Sequence, residues 1–164
     1  MQNMTVDDII DGMVKITLNA QSLVDEAELL SKNKYHARAY TLSHIAREEI
    51  SKLYILFKVG IEVIAGKKYD YKKLQKRFNN HKSKIQFFSI PYYIDGLNGK
   101  YVEGINKRKN ESLYVGYEQS KFQSPSDAIS EHVANRTIEL AINTILKSHL
   151  QITKNNPQFK LNWI

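Results

Sequence analysis

Two ionisable side chains stand where helical spacing otherwise places apolar ones. Tyr35, Ala39, Leu42, Ala46, Ile50, Leu53, Phe57, Gly60 and Ile64 form one stripe, and at about 100° per residue Glu49 falls within about 20° of its centre while Glu48 points well to the side. Tyr71, Leu74, Phe78, Ile85 and Phe88 form another stripe, with His81 in the gap between Phe78 and Ile85. A carboxylate left charged and alone in a core costs several kcal/mol, so Glu49 needs a partner from another element. Arg38 shares its stripe but lies eleven residues away, roughly 16 Å along a helix at about 1.5 Å per residue, too far for a direct pair. A glutamate that orients an imidazole is one way to build a general acid/base site; the same pair equally serves as a structural hydrogen bond.

The surroundings of these residues are basic. Arg77, Lys82 and Lys84 flank His81, and Lys107, Arg108 and Lys109 precede Asn110 and Tyr114. Guanidinium and ammonium groups make charge-assisted contacts to phosphate, an amide and a phenol donate hydrogen bonds, and Tyr114 and Tyr117 offer faces on which bases stack. The distribution of charge sharpens this. Residues 1–66 carry seven basic and nine acidic side chains, residues 111–164 five of each, and residues 67–110 twelve basic and three acidic. The chain's formal +7 is therefore a +9 segment within an otherwise slightly acidic sequence. A local field of that sign attracts polyanions, nucleic acid above all, or else it is the solvated flank of an amphipathic helix.

The elements that must carry these groups read as helices. Thr5 with Asp8 forms a capping-box start, and Val6, Ile9, Ile10, Met13, Ile16, Ala20, Leu23, Val24, Ala27 and Leu30 recur at steps of three and four to about Lys32. Asn33 as a cap predicts a second helix to Ala65 with Gly66 as its stop, and the third stripe predicts a helix from Tyr71 to about Pro91. Residues 92–124 are less regular, with a turn at DGLNG and a short helix near Lys100 to Arg108. Ser124-Pro125 reads as N-cap and first-turn proline of a long final helix with Ala134, Ile138, Ala141, Ile145 and Ile152 on one face. Long amphipathic helices with short breaks predict an all-α antiparallel bundle of four to five helices. The 164 residues read as one domain, with an apolar tail at 153–164 packing on the bundle or on a partner subunit.

Composition removes several classes. With no cysteine there is no disulfide, no Cys-held metal and no thiolate nucleophile. No window is apolar for the ~18–20 residues that a membrane span needs. The acidic N-terminus is unlike a secretory leader, so a cytoplasmic location is expected. A di-metal carboxylate bundle needs Glu-x-x-His on two helices, and His44 with Glu48 is a single, reversed occurrence.

Three segments together resemble the AbiV-type abortive-infection proteins, a branch of the HEPN superfamily of small helical domains. They are AREEISK at 46–52, matching a Glu-Glu-x-x-Lys pattern through Glu48, Glu49 and Lys52; HKSK at 81–84, matching a His-Lys element; and ESLYVGYE at 111–118, similar to a Leu-Tyr-Val-Asp segment. The resemblance spans most of residues 10–150. It implies a HEPN-like bundle, a homodimer with a groove at the subunit interface, and a role in arresting the infected cell to stop phage.

Many HEPN proteins are metal-independent endoribonucleases marked by Arg, four to six residues, then His. Here the positions after Arg108 that would hold His are Leu113, Tyr114 and Val115, so Tyr114 stands in its place. Arg38 and His44 match formally but point to different faces of the second helix and lie too early in the fold; Arg77 and His81 are one residue short.

The expectation is thus a toxin-like ribonuclease of phage defence without metal or other cofactor. His81, Glu49, Arg108 and Tyr114 would carry catalysis, with Arg77, Lys82, Lys84, Lys107, Lys109 and Asn110 on RNA phosphates and Glu48 and Lys52 in support. Its partners would be RNA, a second copy and a phage-encoded activator protein, and no membrane. The alternative is a non-catalytic helical module that captures a phage or host protein or RNA through its basic segment.

Overall fold

The computed structural model describes residues 4–80 and 99–155. Over these the chain is all-α, with six helices and one small hairpin: α1 (Val6–Lys32), α2 (His36–Ile64), α3 (Tyr71–Asn79), α4 (Gly99–Glu111), β1 (Gly116–Glu118), β2 (Lys121–Gln123), α5 (Pro125–Ala128) and α6 (Glu131–Asn155). The predicted capping box starts α1: Thr5 Oγ1 accepts from the Asp8 amide at 3.1 Å while Asp8 accepts from the Thr5 amide at 2.8 Å.

Three long helices make the bundle, and α2 is its centre. It packs on α1 along one side and α6 along another, and it meets α3, α4 and α5 as well. The core follows from this: Ile9, Met13, Ala20 and Val24 of α1, Ala39, Ala46, Ile50, Leu53, Ile55 and Val59 of α2, and Ala134, Ile138, Ala141, Ile145 and Ile152 of α6 are buried. Alanines at the contact faces let the helix axes approach closely, and the branched residues between them fill the remaining volume.

The structure corrects several sequence-based boundaries. Asn33 caps the C-terminus of α1, its side-chain amide donating to the Leu29 carbonyl at 2.8 Å, and Lys34 takes a left-handed φ of 65° before α2 begins at His36. Gly66, at φ 73°, supplies the left-handed residue after α2 as expected. The third helix ends at Asn79, with Asn80 extended at ψ 105°, so it closes before His81. The final helix is two: α5 is a single turn capped by Ser124 and Asp127, Ile129 is extended, and α6 starts after it. The hairpin is additional. Gln119 and Ser120 both have positive φ, 50° and 64°, the geometry that joins two antiparallel strands through two residues. Of the expected tail at 153–164, residues 153–155 continue α6, and residues 156–164 lie outside the described residues.

Candidate functional site: a buried polar cluster between the central helix and α4

Because α2 is enclosed on most sides, its polar residues are buried too. Thr41, Ser43, His44, Arg47, Glu48 and Ser51 are all in the interior. Ser43 and Ser51 donate to the carbonyls of Tyr40 and Glu48 three residues back, at 3.0 and 2.7 Å, and so need no partner from another element. Thr41, His44 and Glu48 recur at three- and four-residue steps and therefore share one face of α2.

That face meets the C-terminal end of α4. His44 Nε2 lies 3.0 Å from Glu48 Oε1, and the Lys109 ammonium lies 3.4 Å from the same oxygen. An ionised carboxylate only accepts hydrogen bonds, so the imidazole carries its proton on Nε2 and donates it. Three residues beyond Lys109, the Ser112 hydroxyl sits 2.7 Å from that of Thr41 and 2.6 Å from the Lys109 carbonyl. Arg38 reaches the Leu113 carbonyl at 3.5 Å. The end of α4 is thus fastened to α2 by an ion pair and by hydrogen bonds.

The electrostatics of the cluster favour a neutral imidazole. Burial pushes the His44 pKa below the usual histidine range, and the nearby cations Lys109 and Arg47 push the same way, against the Glu48 hydrogen bond and charge. With a relative exposure of 0 %, His44 does not touch solvent. In this arrangement it orients Glu48 rather than meeting a substrate.

Adjacent glutamates serve opposite sides. Helical periodicity places Glu49 in the core and Glu48 at the flank; the structure reverses them, Glu48 being 4 % exposed and Glu49 only half-buried. Periodicity of that kind presumes one buried stripe, whereas α2 is covered almost all round. Glu49 accepts from the Lys52 ammonium at 2.6 Å, and that ammonium lies 5.5 Å from the Phe78 ring centroid. Glu49 and Lys52 therefore stand against the last turn of α3, three residues from His81. His81, Lys82 and Lys84 lie outside the described residues. Arg77 is half-buried on α3.

The basic triplet 107–109 splits three ways. Lys109 turns inward to Glu48, Arg108 is exposed, and Lys107 bonds Glu118 of β1 at 2.7 Å and Glu111 at 3.5 Å. The paired carboxylates raise the Lys107 pKa, Glu118 most strongly. Lys107, Asn110 and Tyr114 line an open depression of about 460 Å³ together with Glu103, Asn106, Glu111, Val115, Gly116 and Glu118. Arg108 is not part of that lining. Three carboxylates against one ammonium make the depression net negative, which opposes the phosphate contacts expected at Lys107 and Asn110.

His44 and its bond to Glu48 do not emerge as a site from the sequence, although a signal is there: His and Glu four residues apart share a helix face. A metal centre is not formed by these groups; among the described residues no three His, Asp or Glu side chains cluster as ligands would. No described helix is long and apolar enough to cross a membrane.

A helical bundle with a Glu-Glu-x-x-Lys pattern late in a long helix is what the resemblance to HEPN proteins implies; the bundle is present, and Glu48, Glu49 and Lys52 stand at the middle of α2. The family model of AbiV, a HEPN family, matches residues 8–145, more than four fifths of the chain. The chain belongs to this family. Searches of curated proteins and of solved structures found no match.

Proposed function

We propose that this chain is an abortive-infection effector that cleaves RNA without a metal. Membership of the AbiV family of HEPN proteins is the observation that carries the reading. Two features support it: the +9 segment at residues 67–110, and the placing of Glu49 and Lys52 against α3 beside Phe78. In the reaction the ribose 2′-oxygen attacks the adjacent phosphorus and the 5′-oxygen leaves, giving a 2′,3′-cyclic phosphate and a 5′-hydroxyl. His81 moves the proton, Glu49 orients it, and the exposed Arg108 stabilises charge on the phosphoryl oxygens. Incubation of purified chain with a mixed-sequence RNA in chelator, alone and with extract of phage-infected cells, tests this. Cyclic phosphate ends that disappear with His81→Ala are expected, and intact RNA in both incubations, from protein that protects cells, would overturn it.

A second reading, a non-catalytic binding module, is favoured by two observations. Lys107 and Lys109 are both held by carboxylates, and no histidine follows Arg108 at the nuclease spacing. On that reading His81→Ala lowers the melting temperature in step with any loss of protection; on the first it abolishes protection in a protein of unchanged stability.

A further inference from the structure

Beside the depression the hairpin turns its apolar side chains outward. Tyr114, Val115, Tyr117 and Phe122 are between 64 % and 80 % exposed, and the Tyr117 and Phe122 rings touch across the strands with centroids 4.9 Å apart. Tyr114 and Val115 line the depression, whereas strand alternation sets the Tyr117–Phe122 pair on the hairpin face opposite Gly116 and Glu118, so the apolar pair and the depression flank the same strand from its two sides. Gly116 and Glu118 of β1 also line the depression, so that strand borders it, and a side chain added at Gly116 would meet open space.

We propose that this surface docks an extended segment of a protein partner that carries apolar and basic side chains. The chemistry argues for each property. Exposed aromatic and aliphatic groups on both sides of one short strand give an extended chain, whose own side chains alternate, apolar contacts of the kind that form the core of a protein contact. A three-residue strand bordering an open depression offers an edge along which an extended peptide adds by main-chain hydrogen bonds. Glu103, Glu111 and Glu118 outnumber Lys107, so the concavity attracts an arginine or lysine of the partner and repels a phosphate chain. The same charge argues against a second copy of this chain placed symmetrically, because a two-fold contact sets like charges against each other. The surface takes in Lys107, Asn110 and Tyr114, expected on RNA from the sequence, but none of His81, Glu49 and Arg108, on which the proposed cleavage rests, so it is independent of whether the chain is a nuclease.

Fluorescence polarisation of labelled probes on the full chain tests the proposal. The probes are a short peptide alternating leucine and arginine, the same peptide with glutamate for arginine, and a short single-stranded RNA. The leucine–arginine peptide is expected to bind saturably, and the glutamate peptide not to. Phe122→Ser and Glu103→Lys, one on the hairpin and one on α4, should each weaken that binding by about tenfold or more while keeping the wild-type melting temperature. Peptide binding unchanged in both variants would overturn the proposal. So would RNA binding that falls in both, which assigns the surface to nucleic acid, or dissociation of an oligomer by both, which assigns it to a second copy.

Discussion

His44 is neutral because it is buried, and that makes fold stability depend on pH in a calculable way. The folded chain holds its imidazole below the ordinary value, while the unfolded chain protonates it near about pH 6.5. As pH falls through that value the unfolded state takes up a proton that the folded state does not. Stability is therefore full above the unfolded pKa and lost below it, with a limiting slope of about 1.4 kcal/mol per pH unit. Integrated from pH 7.5 to 5.5 the loss is at most about 1.4 kcal/mol, the limit in which the folded state takes up no proton, which is at most about 5 °C in melting temperature for a chain of this length. His44→Gln keeps a neutral donor toward Glu48 and removes the titration. Denaturant titrations at the two pH values should show the variant closing on the wild type on acidification by up to that amount, with all other groups common to both. Parallel pH profiles would refute the reasoning. A wild type that gains on the variant in acid would mean that Glu48 draws a proton onto His44 in the fold.

Further expectations rest on the same cluster and on the bundle around it. Lys109→Met takes the ammonium from the buried Glu48 and leaves it the His44 bond, so it should destabilise by about 2 kcal/mol, less than the full figure for breaking a buried pair. Adding Glu48→Gln should restore most of that loss, as read by a double-mutant cycle in urea. Ile50→Ala, at a fully buried position facing the core of α2, should cost about 3 kcal/mol in the same assay. Binding of single-stranded RNA should weaken steeply with salt and show a shallower slope in Arg108→Ala, since a cation that no longer meets a phosphate no longer releases its counterion.

The long helices are legible because each has one dominant period. The capping box at Thr5, the stripe of α1 and the alanine and isoleucine face of α6 are local signals, and tertiary structure had no reason to override them. The centre of the bundle is harder. An amphipathic reading of α2 assumes one wet side, yet its neighbours leave little of it wet. Ser43, His44 and Ser51 are as buried as Ile50 and Leu53, with Arg47 buried beside them, and the choice between Glu48 and Glu49 turns on which side α4 occupies. No local pattern reports that.

The hairpin is hidden for a different reason. Its strands have three residues each, and its turn is Gln119-Ser120 rather than the Asn-Gly pair that announces this geometry. Two helix starts in close succession, Ser124 and then Ser130, whose hydroxyl accepts from the Val133 amide at 3.3 Å, read as one in the sequence. Lys107 and Lys109 look like one basic run with Arg108; their separation into three environments depends on Glu118 and Glu48, eleven and sixty-one residues away.

The claim that the chain acts on RNA is tested most directly inside infected cells. RNA ends are mapped through a phage infection in bacteria carrying the wild-type chain, His81→Ala, or neither. New 5′-hydroxyl and cyclic phosphate ends are expected to accumulate after infection with the wild type only, together with a fall in plaque number. Full protection against phage with the RNA ends unchanged would contradict it.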